Sequence, residues 1–432
     1  MKYLNQILFE MRKQPLMTWL SIIGTSIAIF LIMCDFMINN IASVNVTPET
    51  RRDRILYGTG MYVRAGESSS FSSYLSLHTA QQIYGDLDGI ECVSYSTESA
   101  DPVDISVKGA APSTLRRRGV DGNFWKIYDF EFLQGSPFST EEAQAGVKNV
   151  VLSESTAISL FGKGEDVLGR ELTIDHRPYR VSGVVSDVSP ILKETAADLY
   201  VSTTAIGADT AVWHDHLGEL KAILLMKPGI DQEHITRQVR SRYASLNSRL
   251  AKDDMEVIYL GQPYNSVEKS SDFGTNTAPD LESPRRMRII SYVILMLIPA
   301  INLSSMTRSR LRRRVSEIGL RRAFGCTRLR IISDLIIENL ILSLFGAAIG
   351  LVLSVAFVLL FSNYFFNFNG FFLESFSQTQ VRPTFDMLFN WTNFAAVCIA
   401  CFILNLLSAG IPAMKAASVN PAEALSGDNI HK

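Results

Sequence analysis

The sequence predicts an α-helical membrane protein with four transmembrane helices and a large extracytoplasmic mixed α/β domain between the first and second spans. Three observations lead to this fold class. Apolar residues gather at the two ends of the 432-residue chain, in four runs long enough to cross a bilayer. Between the first two runs lies a long stretch, residues 39–288, with strand and helix periods instead. Arginines crowd the segment between the second and third runs, which gives the spans a direction. Whole-chain averages hide this unevenness: 47% of residues are hydrophobic and the mean hydropathy is only +0.14. A formal net charge of -2 gives no sign of a nucleic-acid partner.

The first span covers residues 16–38 and carries one charge, Asp35, near its far end. Residues 1–15 ahead of it read as a cytoplasmic amphipathic segment. Lys2, Arg12 and Lys13 also suit a secretory signal peptide. The apolar run is longer than a signal core, however, and no small-x-small cleavage site comes after it. The second span is residues 289–306, where Pro299 predicts a kink and Asn302 a face turned toward another helix. The third is residues 335–361, uncharged from Leu340 to Leu360. In it Gly346 and Gly350 have the G-x-x-x-G spacing that lets two helices approach closely, a spacing that also arises by chance. The fourth is residues 394–411, closed by Pro412. Asp35 and Asn405 either line an inter-helix surface with a role or are satisfied polar residues between helices or snorkelling outward.

Orientation comes from the basic residues. The segment 307–334 holds nine arginines: Arg308, Arg310, Arg312, Arg313, Arg314, Arg321, Arg322, Arg328 and Arg330. Only Glu317 opposes them before Asp334. Short, positively charged loops stay in the cytoplasm. With four spans, residues 1–15, the segment 307–334 and the tail 412–432 are then all inside, while 39–288 and the short loop 362–393 are outside. Arg285, Arg286 and Arg288 stand against the rule, but they flank a long loop whose charges count for less. Cys34, Cys398 and Cys401 lie in spans and Cys326 is cytoplasmic. Cys92 alone is exported, so the outer domain must rest on its core, which at this size is large enough.

That domain reads as mixed α/β. Asn149-Val150-Val151-Leu152 has the character of a buried strand. Ser153 or Ser155 then starts a short helix, Glu154 to Phe161, which Gly162 ends. Residues 170–188 alternate and are broken at Asp175-His176-Arg177-Pro178, a hairpin signal. An apolar strand from Lys221 to Met226 precedes a helical period at Ile235, Val239, Tyr243, Leu246 and Leu250. A further strand, Met255 to Leu260, comes next. The order suggests a ferredoxin-like or porter-like unit. Residues 261–283 read as a loop or linker into the second span.

The search for chemistry is mostly negative. There is no phosphate loop of the G-x-x-x-x-G-K-[ST] kind, and Phe161-Gly162-Lys163-Gly164 resembles one only in composition. His214-Asp215-His216 would place two rings on one strand face for a metal, but without a third ligand nearby it reads as a solvated loop. No Ser/His/Asp arrangement or carboxylate pair stands out. The residues by themselves give no catalytic constellation.

The most informative stretch is cytoplasmic, VSEIGLRRAFG at residues 315–325. As a helix it places Ile318, Arg321 and Arg322 on one side, and Gly325 can end it in a left-handed cap. Three or four arginines suffice as topology anchors, so nine suggest a second role, docking onto lipid headgroups or onto a partner's acidic groove.

The run Glu317-Ile318-Gly319-Leu320-Arg321-Arg322-Ala323-Phe324-Gly325-Cys326-Thr327 resembles the signature of MacB/FtsX-type ABC-transporter permeases. Downstream, Ile336-Ile337-Glu338-Asn339-Leu340 and then Gly346 to Gly350 are similar to the next part of that pattern. The C-terminal stretch from Pro412 to Leu425, PAMKAASVNPAEAL, resembles the family's ending. Residues 120–188 resemble its periplasmic core domain through VDGNFW, FLQG, VVLSESTAISLFG, DVLGRELTI and YRVSGVV, in that order. Phe324 and Cys326 depart from the common pattern, where smaller or different residues are usual.

The resemblance implies a bacterial inner-membrane permease whose ATPase is a separate cytoplasmic ABC subunit, with ATP and Mg bound there and no cofactor on this chain. It implies a second permease copy, identical or related, around this one. It also implies an arginine-rich helix seated in the ATPase, so that closure on ATP pushes the spans and moves the periplasmic domain. Glu317, Ile318, Gly319, Arg321, Arg322, Phe324 and Gly325 are the implied coupling contacts, with the glycines shaping the backbone. The implied work is extrusion of a periplasmic peptide, lipopeptide or drug, with a periplasmic adaptor and outer-membrane channel as further candidate partners. An ATPase-driven regulator of a cell-envelope enzyme, and a membrane-anchored sensor or scaffold without an ATPase, are the alternatives.

Overall fold

The computed structural model describes residues 15–40, 44–66, 69–108, 111–212, 215–271, 274–297, 300–301, 320, 324–361, 391–392, 394–400, 402–403 and 406. They form two units, one within residues 41–281 and the other made of helical residues before and after it in sequence.

In the helical unit the first element, α1, is Pro15–Asn40. Residues 282–297 are also helical (α2), beginning seven residues before the expected start of the second span at Ile289. Pro284 lies in its first turn, where a missing N–H leaves no bond unmade. The longest helix, α3, runs over Arg328–Leu360, so Arg328, Arg330 and Asp334 are helical rather than in a connecting segment. Positions 391–392, 394–400, 402–403 and 406 are helical as well. Among the described residues two helices are long and apolar enough to cross a membrane, at Thr18–Ile38 and Leu340–Leu360. The second and fourth expected spans fall partly outside the described residues, as do Pro299, Asn302, Asn405 and His214.

The α/β unit has two lobes. The first is a βαββαβ arrangement of the ferredoxin-like kind. Ser69–Leu75, the helix Leu77–Tyr84 and Ile90–Thr97 form its first half, and Leu220–Met226, the helix Gln232–Leu250 and Met255–Ile258 its second. Leu220–Met226 pairs with Ile90–Thr97 on one side and meets Ser69–Leu75 at Leu220↔Leu75 on the other. The hairpin partner Met61–Ala65 lies between Ser69–Leu75 and Met255–Ile258. The long helix buries Ile235, Val239, Tyr243, Leu246 and Leu250, the five positions whose spacing predicts a helix. They pack with Leu56, Ile83, Tyr84, Ala222, Leu224 and Val257.

The second lobe is inserted between the two halves of the first. Its strands Ser113–Val120, Asp101–Ser106, Glu171–Ile174, Arg177–Val185, Asn149–Ser153 and Leu199–Ser202 pair in that order, and the last returns to the first. Six strands thus close into a small barrel, which removes free sheet edges. Its core holds Val103, Ile105, Leu115, Val150, Leu152, Val181, Val184, Leu199 and Val201. The Glu154–Phe161 helix forms with Ser153 as its N-cap and Gly162 after it at φ +99°. The hairpin turns on two residues, Asp175 and His176, both at positive φ, so Pro178 is already in the returning strand.

The reading of residues 261–283 as a loop or linker is corrected. Tyr264–Asn265 is a strand paired with Leu56 and Tyr57, and Ser266–Ser270 is a short helix. Asn265 and Glu268 form a reciprocal capping box at its start. A polar composition hid an ordered segment, because its bonds are made by side chains capping the backbone rather than by an apolar face.

Candidate functional site

The expected coupling residues Glu317, Ile318, Gly319, Arg321 and Arg322 lie outside the described residues. Phe324 and Gly325 lie within them. The Phe324 N–H donates to the Leu320 carbonyl at 3.1 Å, a helical spacing. Gly325 is next, at φ +89° with open space around a would-be Cβ, so the left-handed backbone, not crowding, calls for glycine there. Thr327 then precedes α3 in extended conformation. Within the helical unit Phe324 is 83% exposed. An aromatic ring this exposed beside a helix stop is available for a partner or for lipid headgroups.

Two contacts join helices within the helical unit. Gly346 and Gly350 face α1: a Cβ on Gly346 would stand 2.9 Å from Thr25 Cβ, and one on Gly350 2.6 Å from the Ser26 carbonyl and 3.1 Å from Ile29 Cβ. The G-x-x-x-G spacing is therefore used for close backbone approach. The Ser26 hydroxyl donates to the Ile22 carbonyl at 2.7 Å, which leaves no bare hydroxyl in the contact. Phe30 and Phe357 meet edge to face at 5.2 Å between ring centres. The second contact involves Asp35. The Tyr292 hydroxyl donates to its carboxylate, and the Tyr292 ring stacks on Phe36 at 5.3 Å. Asp35 is a hydrogen-bonded residue between α1 and α2.

The α/β unit holds a buried ionic network. Lys221, on the fully buried strand Leu220–Met226, has a side chain 0% exposed. Its ammonium donates to the Glu194 carboxylate and, at 3.2 Å, to the Glu98 carbonyl, with the Glu98 carboxylate 3.7 Å away. Lys269, on the Ser266–Ser270 helix, binds that same carboxylate at 2.6 Å. Beside them Arg118 donates to the carbonyls of Thr97, Glu98, Lys193 and Ala196 at 2.7–3.3 Å. Burial opposes the charge on Glu194, but the ammonium groups of Lys221 and Lys269 outweigh it and hold its pKa down at about 2. A depressed carboxyl pKa stabilises the fold above the unfolded value, near 4.5 for Glu194, and loses that stabilisation as pH falls toward the folded value. Acid titration of the folded protein should therefore show a stability loss between about pH 4.5 and 2 that Glu194→Gln flattens; an unchanged pH profile in that variant would refute the assignment.

A second buried pair lies on the segment that leads into the domain. The Arg52 guanidinium donates to the Glu49 carboxylate, and the Thr195 hydroxyl donates to the same group at 2.7 Å. The next strand, Ile55–Gly58, pairs antiparallel with the outgoing strand Tyr264–Asn265. Gln262, 3% exposed, reinforces that junction. Its carbonyl oxygen accepts from the Thr59 N–H at 2.9 Å and the Tyr84 hydroxyl at 3.0 Å, and its amide donates to the Gly60 carbonyl at 2.8 Å.

Sequence reasoning missed these buried networks: apart from Glu49 and Arg52, three residues apart, their partners are distant in sequence. The one local signal was a lysine leading an otherwise apolar strand at 221–226. Among the described residues no group of three or more His, Cys, Asp or Glu is placed to hold a metal ion. The described residues thus hold close helix contacts in one unit and buried ionic and amide networks in the other.

Residues 18–242 match the MacB-like periplasmic core domain and residues 289–421 the FtsX-like permease C-terminal domain. The probable syringafactin export ATP-binding/permease protein SyfD of Pseudomonas syringae pv. tomato is 24% identical over 72% of this chain and 42% of its own length. The macrolide export ATP-binding/permease protein MacB of Escherichia coli O157:H7 is 22% identical over 71% of this chain and 43% of its own. The chain thus spans less than half the length of these curated relatives. The crystal structure of the periplasmic region of MacB from Actinobacillus actinomycetemcomitans, 20% identical, aligns with a TM-score of 0.33 over 48% of this chain and 89% of that one.

Proposed function

The chain belongs to the MacB/FtsX-type ABC permeases, with a MacB-like periplasmic core domain and an FtsX-like C-terminal domain, and from that premise we propose that it is the permease subunit of a mechanotransmission exporter. A separate cytoplasmic ATPase, carrying ATP and Mg, drives it. Two permeases, identical or related, assemble around that ATPase in the bacterial inner membrane. Each has four spans, both termini inside, and the α/β domain in the periplasm. The substrate is a periplasmic peptide, lipopeptide or drug, a class the export names of SyfD and MacB favour, and an adaptor and outer-membrane channel would complete the route.

The observation that supports this most is the order of parts in one chain: an apolar first helix, the core domain, and the permease match with its arginine-rich segment. In this reading the helices act as levers on the large domain, and the close packing of α1 against α3 supports that. Glu317, Ile318, Gly319, Arg321, Arg322, Phe324 and Gly325 would form the face that the ATPase pushes. Reversing charge at Arg321 or Arg322 puts like charge against an acidic groove, which costs several kcal/mol at a buried contact. Arg321→Glu and Arg322→Glu should therefore each lower ATPase co-purification from mild detergent by at least tenfold while the permease still reaches the membrane. Undiminished co-purification and hydrolysis in both variants would rule out this coupling face.

A further inference from the structure

Among the described residues the chain enters the α/β domain ahead of Ile55–Gly58 and leaves it after Tyr264–Asn265 on the way to α2, and the structure brings these two passages together. The inbound strand Ile55–Gly58 and the outbound strand Tyr264–Asn265 are antiparallel neighbours, Leu56 opposite Asn265 and Tyr57 opposite Tyr264. Three further sets of bonds tie them. Gln262 on the outbound side extends the ladder by a side chain, bonding the backbone of Thr59 and Gly60 on the inbound side. The Ser266 hydroxyl donates to the Arg52 carbonyl at 3.3 Å. Lys269, one turn further out, is bound through Glu98 to Lys221 on the central strand and so to Glu194. Glu194 adjoins Thr195, which holds Glu49 on the inbound side. Both passages are thus fixed to each other, the outbound one also to Glu98 and the inbound one to Thr195 in the connection between Arg177–Val185 and Leu199–Ser202.

A buried amide that satisfies a backbone N–H and a backbone C=O cannot let go without leaving both unpaired away from water. The ionic links add to that, because separating Lys269 or Lys221 from its partners leaves uncompensated charge in a buried place. Elements held this way have few discrete arrangements and move together.

We propose that Gln262, with the Lys221–Glu98–Lys269 links, is a positioning device that welds the inbound and outbound passages into one body, so that the domain is displaced as a unit rather than pried open at its root. The functional arm rests on the permease reading above; the structural arm does not.

The structural arm is hydrogen exchange on the full chain in lipid nanodiscs. Gln262→Ala should raise exchange at residues 55–60 and 262–266 together, by a common factor of ten or more. Deprotection confined to 262–266 would overturn the weld. The functional arm is a disulfide lock, Leu56→Cys with Asn265→Cys, facing residues of an antiparallel pair whose spacing suits a disulfide. In the complex with its ATPase, the oxidised and reduced forms should hydrolyse ATP within twofold of each other. Activity that falls tenfold on oxidation and returns with a reductant, while the single-cysteine variants are unaffected, would show that the passages must part and would overturn the proposal. If no ATPase co-purifies, that result counts against the permease reading, and the exchange measurement alone decides the weld.

Discussion

Lys221→Met is expected to destabilise the exported domain by about 3–5 kcal/mol, the cost of removing one member of a buried ion pair and leaving its partner charged. For a domain of this size that lowers the thermal midpoint by roughly 10 °C. Volume is nearly conserved, so packing contributes little of the loss. What remains is Glu194, largely buried, with Lys269 still favouring its charge. A second substitution separates charge from shape. Adding Glu194→Gln to Lys221→Met removes the stranded carboxylate and should recover a substantial part of the loss, a non-additivity that only coupled neighbours show. The measurement is the calorimetric midpoint of the purified full chain for the two single variants and the double. A Lys221→Met midpoint within about 2 °C of the natural protein would show that the network adds nothing to the fold.

Gly350→Leu should separate α1 from α3. The new Cβ alone falls 2.6 Å from the Ser26 carbonyl, a backbone atom of a regular helix. Backbone cannot swing aside as a side-chain tip can, so the helices must part along the whole contact. Inside a bilayer no hydrophobic gain offsets this, because lipid tails are as apolar as the side chains they replace. Overpacking costs about 1–3 kcal/mol in a soluble core, and the rigid neighbour puts this site at the upper end. Gly346→Ala meets Thr25 Cβ at 2.9 Å and should be milder. The check is a cross-link between Phe30→Cys and Phe357→Cys, whose natural rings touch edge to face. It should form readily with glycine at 350 and fall at least fivefold with leucine there. Equal yields would mean that the close approach is not needed.

These two sites differ in how far the sequence revealed them. Gly346 and Gly350 are visible as a local spacing although the helix they meet is distant in sequence, and the helix 232–250 is visible as a period because signal and cause lie within a few turns. The strand Asn149–Ser153 and the Asp175–His176 hairpin were legible for the same reason. The barrel closure was not, since Leu199–Ser202 finds Ser113–Val120 across some eighty residues with no pattern linking them. Glu194, Glu98 and Lys269 are invisible likewise, each reading as a surface charge until the fold gathers them around Lys221, whose place at the head of an apolar strand is the one local sign. Residues 264–270 misled because capping boxes and loops share a polar vocabulary. Phe324 departs from the family pattern in sequence, and its exposure is consistent with an outward-facing role.

In the proposed mechanism ATP hydrolysed in the cytoplasm moves the periplasmic domain. The direct measurement is energy transfer between a fluorophore at the exposed position Ser72 and acceptor-labelled lipid headgroups, in nanodiscs holding the permease with its ATPase. The account predicts two distinct transfer efficiencies, one nucleotide-free and one trapped with a non-hydrolysable ATP analogue, and loss of the second in Arg321→Glu. A complex that hydrolyses ATP while the transfer efficiency stays the same in every nucleotide state would contradict it.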